Sequence, residues 1–104
     1  MKPETKLRKR LVLPFLRSLK NTWFEPIQQL AIQGTPDFLL CVRGLFVALE
    51  LKSEKGRLSP LQRRKLQMVE KAQGIAIVAN PGNWKEVKQR LTNLDGGIIG
   101  NYEL

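Results

Sequence analysis

The sequence predicts an α/β fold in which a mixed β-sheet is flanked by helices. Apolar runs of strand length occupy residues 38–42, 45–51 and 75–79, and a capped amphipathic helix lies between the last two runs. A second helical pattern follows residue 83. Because strands and helices alternate in this half of the chain, we expect the order αβββαβα. A chain of 104 residues fits a single domain, 1–104.

The first predicted element is a basic helix over residues 4–20. Leucines recur at helical spacing among six lysines and arginines, but Pro14 inside the pattern is expected to kink or break the helix. Residues 22–33 then read as a strand and a turn-rich connection, in which Trp23 is interpreted as a core residue.

The second and third strands form a predicted hairpin. Arg43 and Gly44 separate the apolar runs 38–42 and 45–51, as a two-residue turn would. Both strands are apolar on both faces, which favours the middle of a sheet. Cys41, inside the first run, is interpreted as a buried thiol.

The helix after the hairpin has a clear beginning. Ser59 is a predicted N-cap, Pro60 occupies the first helical position, and Gln62 completes a capping box. The pattern continues to about Ala72, and Gly74 marks its end.

The last part of the chain is predicted as a strand, a helix and a tail. Residues 75–79 form a short buried strand, Asn83 caps the helix, and Trp84 belongs to its apolar stripe. Residues 93–104 are expected to form a loose tail or a small partner-binding strand.

The charge balance indicates a polyanionic partner. The chain has 18 Lys and Arg against 9 Asp and Glu, a formal charge of +9, so nucleic acid is the leading candidate. An anionic membrane is a weaker alternative, since no apolar stretch is long enough to span one and no lipidation signal is present. We recognise no secretory signal and expect an intracellular protein.

The absence of histidine restricts the available chemistry. It excludes Ser-His-Asp and Cys-His catalysis and the nucleases that use histidine as a general base. Hydrolysis by this chain would therefore depend on carboxylates, lysine and a hard metal ion.

Such a set of groups is predicted at the ends of the hairpin. With a turn at residues 43–44, Asp37 lies opposite Glu50, and directly opposed Cβ atoms are about 5 Å apart. Lys52 points to the same side as Glu50 because side chains alternate along a strand. Two opposed acids repel each other unless they bind a cation.

We expect that cation to be Mg²⁺, or Mn²⁺, because carboxylates, the backbone carbonyl of Leu51 and water are hard oxygen ligands. Lys52 would then orient the attacking water or stabilise charge on a phosphate. The alternative is a turn residue at Asp37 and a solvated strand end at Glu50 and Lys52. A one-residue slip of the register would also separate the two acids.

At this point the residues resemble a known family. Pro36-Asp37, twelve further residues and Glu50-Leu51-Lys52 resemble the motif of the PD-(D/E)XK nucleases. The stretches GTPDFLL, ALELK and LSPLQRRKL are similar to the VRR-NUC branch, which occurs in phage and repair nucleases. The resemblance covers about residues 34–80.

The resemblance implies a restriction-endonuclease-like core with an active site on the hairpin. Asp37 and Glu50 would bind the metal ion, Lys52 would be catalytic, and Gln62 would lie beside the site. Glu4 is the candidate for the glutamate that this superfamily often supplies from its first helix. The capping box alone also explains Gln62.

The implied activity is that of an Mg²⁺- or Mn²⁺-dependent DNA endonuclease without an organic cofactor. Small stand-alone members are similar to structure-selective enzymes that act as homodimers on branched DNA such as Holliday junctions. A phage-encoded enzyme would act in the host cytoplasm. Two alternatives are a non-catalytic nucleic-acid-binding module with the same fold and a small structural protein whose charge serves solubility.

The predicted DNA contacts come from basic residues after the third strand. They exceed what solubility requires, so we expect contacts with backbone phosphates, although a solvated helix face is the alternative. The candidates are Arg57, Arg63, Arg64 and Lys65.

Overall fold

The fold is seen in a computed structural model that describes residues 2–28, 33–99 and 102–103, with side chains for 2–28 and 33–98. The chain begins with a continuous helical segment, called here the N-terminal helix. It consists of α1 (Pro3–Lys6), a π-helical turn (Leu7–Val12) and α2 (Leu13–Ser18). The basic helix predicted from the sequence is present and ends two residues earlier than expected.

The helix continues through Pro14, so the expectation of a break is wrong, and the helical geometry instead changes from π to α directly before this residue. The Leu13 N–H donates to the carbonyl of Arg8, five residues back, and the wider π turn ends directly before α2. Pro14 consequently lies in the first turn of α2, where a missing N–H is tolerated. The π turn also keeps Leu7, Val12 and Leu16 buried on one side.

The centre of the molecule is a mixed sheet, as predicted. Its strands are β1 (Thr22–Pro26), β2 (Phe38–Val42), β3 (Leu45–Leu51) and β4 (Ile75–Ala79), and they lie in that spatial order. The first two pairings are antiparallel and the third is parallel. Because β3 and β4 are parallel, α3 (Pro60–Lys71) serves as the crossover between them.

The hairpin has the predicted two-residue turn. Arg43 has φ 48° and Gly44 has φ 84°, so both central residues are left-handed, which matches the twist of the flanking strands. Val42 consequently pairs with Leu45, and the ladder continues to Phe38 and Leu49. The register is the one that the sequence predicted.

The main core lies on one face of the sheet, between the sheet, the N-terminal helix and α4 (Trp84–Asp95). Alternate residues of the strands point into this core, which agrees with the strand period of two. Its largest fully buried side chains are Phe38, Leu16, Leu40, Leu49, Leu51, Leu91, Val12, Val42 and Val47.

The opposite face is only partly covered. α3 packs beside β4 on this face, while in the described residues no helix covers the β1 and β2 side. Trp23 is therefore 61% exposed and pairs across the strands with Cys41, which is also exposed. Our assignments of Trp23 to the core and of Cys41 to a buried thiol are wrong, because alternation turns both side chains to this open face. Trp84 is buried as expected.

The last helix is longer than expected. α4 continues to Asp95, whose carboxylate accepts hydrogen bonds from the Lys20 and Asn21 N–H groups and from the Thr22 hydroxyl, at 3.2, 2.8 and 2.7 Å. The expectation of a loose tail is thus wrong for residues 93–95, because Asp95 fixes the helix end to the start of β1.

The remainder of the tail contains a small pairing, β5 (Ile98–Ile99) with β6 (Tyr102–Glu103). Residues 100, 101 and 104 of the predicted tail, and residues 29–32 of the predicted connection, lie outside the described residues.

Asn83 precedes α4, as predicted, but its side chain does not cap the helix. It accepts a hydrogen bond from the Asn80 N–H and donates one to the Val78 carbonyl, both at 2.8 Å. Asn83 therefore braces the turn after β4. None of the helices in the described ranges is long and apolar enough to cross a membrane.

Candidate active site

The loop before β2 holds Asp37 at the end of the sheet. Gly34, in this loop, has φ +81°, and an added Cβ would lie 2.8 Å from Cγ of Leu61. Only glycine combines that backbone conformation with so close an approach to α3. At the other side, the Ile27 N–H donates to the Asp37 carbonyl at 2.8 Å, so the backbone of Asp37 is fixed beside β1.

The side chain of Asp37 is fixed as well. Its Oδ2 accepts a 2.7 Å hydrogen bond from the backbone N–H of Leu51, in β3. This contact extends the β2–β3 ladder by one step beyond the pair of Phe38 and Leu49. By the same register, Asp37 lies opposite Glu50, as the sequence predicted.

Glu50 is a buried acid, with 2% of its surface exposed. It lies in β3 between Asp37 on one side and Val78 of β4 on the other. The pKa of Glu50 is raised to about 9, mainly by burial and also by a hydrogen bond with the Asp37 side chain and by the charge of Asp37, while the charge of Lys52 acts in the opposite direction. Near neutral pH, the fold by itself therefore favours a protonated Glu50.

One oxygen of Glu50 has no partner within the described part of the chain. Its Oε2 is buried and makes no hydrogen bond there. A buried polar atom without a partner costs about 1–3 kcal/mol, so such an atom requires an explanation.

Lys52 lies where β3 ends. Its N–H donates to the carbonyl of Ala79 at 2.9 Å, which keeps β3 and β4 paired up to this point. The side chain is half-buried, and its charge acts on Glu50, two residues earlier. The ammonium group thus belongs to the same electrostatic cluster as the two acids.

The N-terminal helix closes one side of this cluster. A cleft of about 230 Å³ is lined by Asp37, Leu51 and Glu4 together with Lys2, Thr5 and Arg8. The charge of Glu4 also raises the pKa of Glu50, which shows that the two side chains are electrostatically coupled. The structure therefore brings Glu4 to the same end of the sheet as the acids of the hairpin.

The comparison with protein families provides the family assignment. Residues 4–82 match the VRR-NUC domain, and this span covers more than half of the 104 residues. The chain belongs to the VRR-NUC domain family. No curated protein and no solved structure matches it.

VRR-NUC domains are members of the PD-(D/E)XK nucleases, and the helix, three strands, helix, strand and helix seen here agree with that fold. The family implies a nuclease, hence a hydrolase with DNA as substrate. Nucleases of this superfamily generally use a divalent metal ion.

The residues at the candidate site fit a hard divalent ion. Two carboxylates meet here, and the unpaired Oε2 of Glu50 is an oxygen that a cation would satisfy. Among the described residues no group of three or more His, Cys, Asp or Glu forms a metal cluster. A pair of carboxylates is nevertheless sufficient for Mg²⁺, which usually binds one or two carboxylates and retains several waters.

Gln62 lies outside the cleft. Its side chain accepts from the Ser59 N–H at 2.9 Å, and its own N–H donates to the Ser59 hydroxyl at 3.1 Å, so both halves of the predicted capping box are present. The carbonyl oxygen of this side chain therefore braces the start of α3. An accessory role in the site stays a prediction.

The four basic candidates for DNA contact lie on and before α3. Arg57, Arg63 and Arg64 are exposed, and Lys65 is half-buried with its Nζ 3.5 Å from the hydroxyl of Thr35. Lys65 therefore contacts the loop that leads to Asp37. DNA contact by these residues stays a prediction.

Sequence reasoning missed Arg8 and Thr5 as residues of the cleft. Arg8 follows Glu4 by four residues, a spacing that places both on one side of a helix, so the signal was present. It was obscured because basic residues occupy so much of the N-terminal helix.

Proposed function

We propose that this VRR-NUC chain is a metal-dependent DNA endonuclease whose active site is formed by Asp37, Glu50 and Lys52. The observation that carries the proposal is the pair of opposed acids at the end of the hairpin, in which the buried Glu50 has an oxygen without a partner among the described residues. A fold without a ligand at this place would gain little from two opposed acids.

In this proposal Asp37, Glu50 and the backbone carbonyl of Leu51 hold Mg²⁺ or Mn²⁺. The Leu51 N–H already orients the Asp37 carboxylate through Oδ2. A bound divalent ion would supply water activation and neutralise charge on the phosphate. Because Glu50 must lose its proton to bind, metal binding is coupled to proton release.

Lys52 contributes a positive charge beside the acids. In the proposed reaction its ammonium group orients the attacking water or stabilises the negative charge that develops on the phosphate oxygens. The backbone of Lys52 is held at the end of β3 by its hydrogen bond to the Ala79 carbonyl. Glu4 is the accessory acid that the N-terminal helix brings to the cleft.

The proposed substrate is branched DNA, such as a Holliday junction, cut inside the cell. The support is membership of the VRR-NUC family, whose small members resemble structure-selective nucleases, together with the +9 charge that attracts DNA. Arg57, Arg63, Arg64 and Lys65 would contact the phosphates of the duplex arms.

The proposed active form is a homodimer. The described part of each chain has one candidate site, and a cut in both strands of a junction requires two sites or two separate events. Light scattering of the purified protein tests this proposal. A mass of twice 11.9 kDa is expected for the free protein, and a DNA complex that contains a single 11.9 kDa chain would contradict the proposal.

The activity is tested with a panel of four-way junction, flap, duplex and single-stranded DNA in Mg²⁺ or Mn²⁺. We expect the wild type to cut the junction fastest and Asp37→Ala, Glu50→Ala and Lys52→Ala to be inactive. Glu25→Ala, which removes an exposed acid from β1, is the matched control and should cut normally. Equal cleavage by all variants would exclude the site, and metal-independent DNA binding without cleavage would indicate a non-catalytic module.

A further inference from the structure

We propose that Arg8 binds a non-bridging oxygen of the DNA phosphate that lies in the active site. Arg8 is half-buried and lines the same cleft as Asp37, Leu51 and Glu4. The inference rests on the proposed nuclease function and adds a phosphate-binding residue to it. Three observations at Arg8 support it.

The first observation is that the guanidinium group is held in place. Its Cζ lies 5.0 Å from the centre of the Phe38 ring, within cation–π distance. Phe38 is fully buried and is held from another side by Phe24, whose ring centre is 6.1 Å away. Because Phe38 directly follows Asp37, the contact with the Phe38 ring places the guanidinium near that acid.

The second observation is that the donors of this group are not used. Arginine carries five N–H donors, and within the described residues Arg8 makes no side-chain hydrogen bond or ion pair. This holds although Glu4 and Asp37 line the same cleft. A guanidinium that is held over a ring and whose donors are not used by the described residues is suited to a phosphate, which accepts two parallel hydrogen bonds.

The third observation is the π turn itself. The hydrogen bond from the Leu13 N–H to the Arg8 carbonyl spans five residues and adds one residue to the helical turn. This insertion changes the side of the helix on which Arg8 lies relative to the buried residues that follow it. Turns of this kind occur frequently at functional sites.

The simpler alternative is that Arg8 only covers the Phe38 ring. Methionine can cover the ring without providing a charge or a donor, and lysine retains the charge without the planar group. Arg10, in the same helix but exposed, is the matched control because its replacement also removes one positive charge.

The test compares Arg8→Met, Arg8→Lys and Arg10→Met in the full chain. Affinity for a labelled four-way DNA junction is measured in EDTA, and the single-turnover rate is measured with Mn²⁺ on the DNA of the panel that is cut fastest. We expect Arg8→Met to slow cleavage by about a hundredfold, as removal of one charge-stabilising donor does. Arg8→Lys should slow cleavage less than Arg8→Met does, and the cleavage rate of Arg10→Met should stay within about threefold of the wild-type rate.

The metal-free affinity provides a second result. Arg8→Met should bind the junction several times more weakly than Arg10→Met and show a salt dependence reduced by about one ion. Circular dichroism confirms folding, and Arg8→Lys replaces Arg8→Met if the latter unfolds. Binding and cleavage equal to those of Arg10→Met would overturn the inference.

The design separates this inference from the proposed function. If the wild type cuts DNA through Asp37 and Glu50 but Arg8→Met behaves like Arg10→Met, only the role of Arg8 fails. If the wild type cuts no DNA, the nuclease proposal fails, and the affinities in EDTA still support or contradict phosphate binding by Arg8.

Discussion

Glu50 is the residue at which the folded structure and the proposed chemistry conflict most. The chain buries an acid whose pKa rises to about 9, although an ionised carboxylate is what a metal ion needs. Groups with such perturbed values concentrate at functional sites, because stability alone does not favour them. The conflict predicts that the apoprotein is less stable at high pH than it would be with a neutral side chain here.

The pH dependence of stability follows from the direction of this shift. Above about 4.5, an unfolded glutamate is ionised, whereas Glu50 in the fold retains its proton up to about pH 9. The native state thus binds more protons in this window, so the free energy of unfolding falls as the pH rises. The contribution is fully present below pH 4.5 and is lost as the pH passes 9.

Glu50→Gln should remove this decline, because glutamine resembles the protonated acid. Urea unfolding in EDTA between about pH 5 and 9 measures the difference. We expect the wild type to lose stability relative to Glu50→Gln as the pH increases. Parallel curves for the two proteins would show that Glu50 titrates normally.

Lys52 offers a test of catalysis that is separate from general charge. Lys52→Gln and Lys55→Gln each remove one positive charge from the same stretch of chain, but Lys55 is exposed. We expect Lys52→Gln to lower the single-turnover rate by about a hundredfold or more, and Lys55→Gln to change it by less than about threefold. Similar cleavage rates in the two variants would show that Lys52 acts only as a surface charge.

At the scale of elements, the hairpin and the loop before it set the geometry of the site. The left-handed turn at Arg43 and Gly44 determines which residue lies opposite Glu50. The loop containing Gly34 then places Asp37 at the position opposite Glu50. Both depend on a glycine with positive φ, but the surroundings of the two glycines differ.

Gly34→Ala and Gly44→Ala form a matched pair. Their φ values are +81° and +84°, so both substitutions incur the left-handed penalty of about 1–2 kcal/mol. A Cβ at Gly44 meets no atom within 4 Å, whereas one at Gly34 lies 2.8 Å from Leu61. Urea unfolding should therefore show a larger loss for Gly34→Ala, with slower cleavage because Asp37 shifts. Equal losses of unfolding free energy in the two variants would mean that the loop can move away from α3 without a further loss of stability.

At the scale of the whole molecule, local signals account for what the sequence predicted correctly. The two-residue turn fixed the hairpin register, and Ser59 with Gln62 fixed the start of α3. These features depend on a few neighbouring residues, so they can be interpreted without the rest of the fold. The opposed positions of Asp37 and Glu50 follow from the same register.

The errors concern properties that arise only from packing. Whether Trp23 and Cys41 are buried depends on a helix that covers the opposite face of the sheet only in part. The end of α4 depends on hydrogen bonds from residues more than seventy positions away to Asp95. The position of Arg8 likewise depends on a π turn, which no residue pattern in the sequence predicts.

The central claim is that Asp37 and Glu50 together bind a divalent ion, and calorimetric titration with Mn²⁺ near neutral pH tests it most directly. We expect about one ion per chain, with proton release, and affinities at least about tenfold weaker in Asp37→Asn and Glu50→Gln. Glu25→Gln should bind as the wild type does. An absence of binding by the wild type, or equal affinity in all four proteins, would contradict the claim.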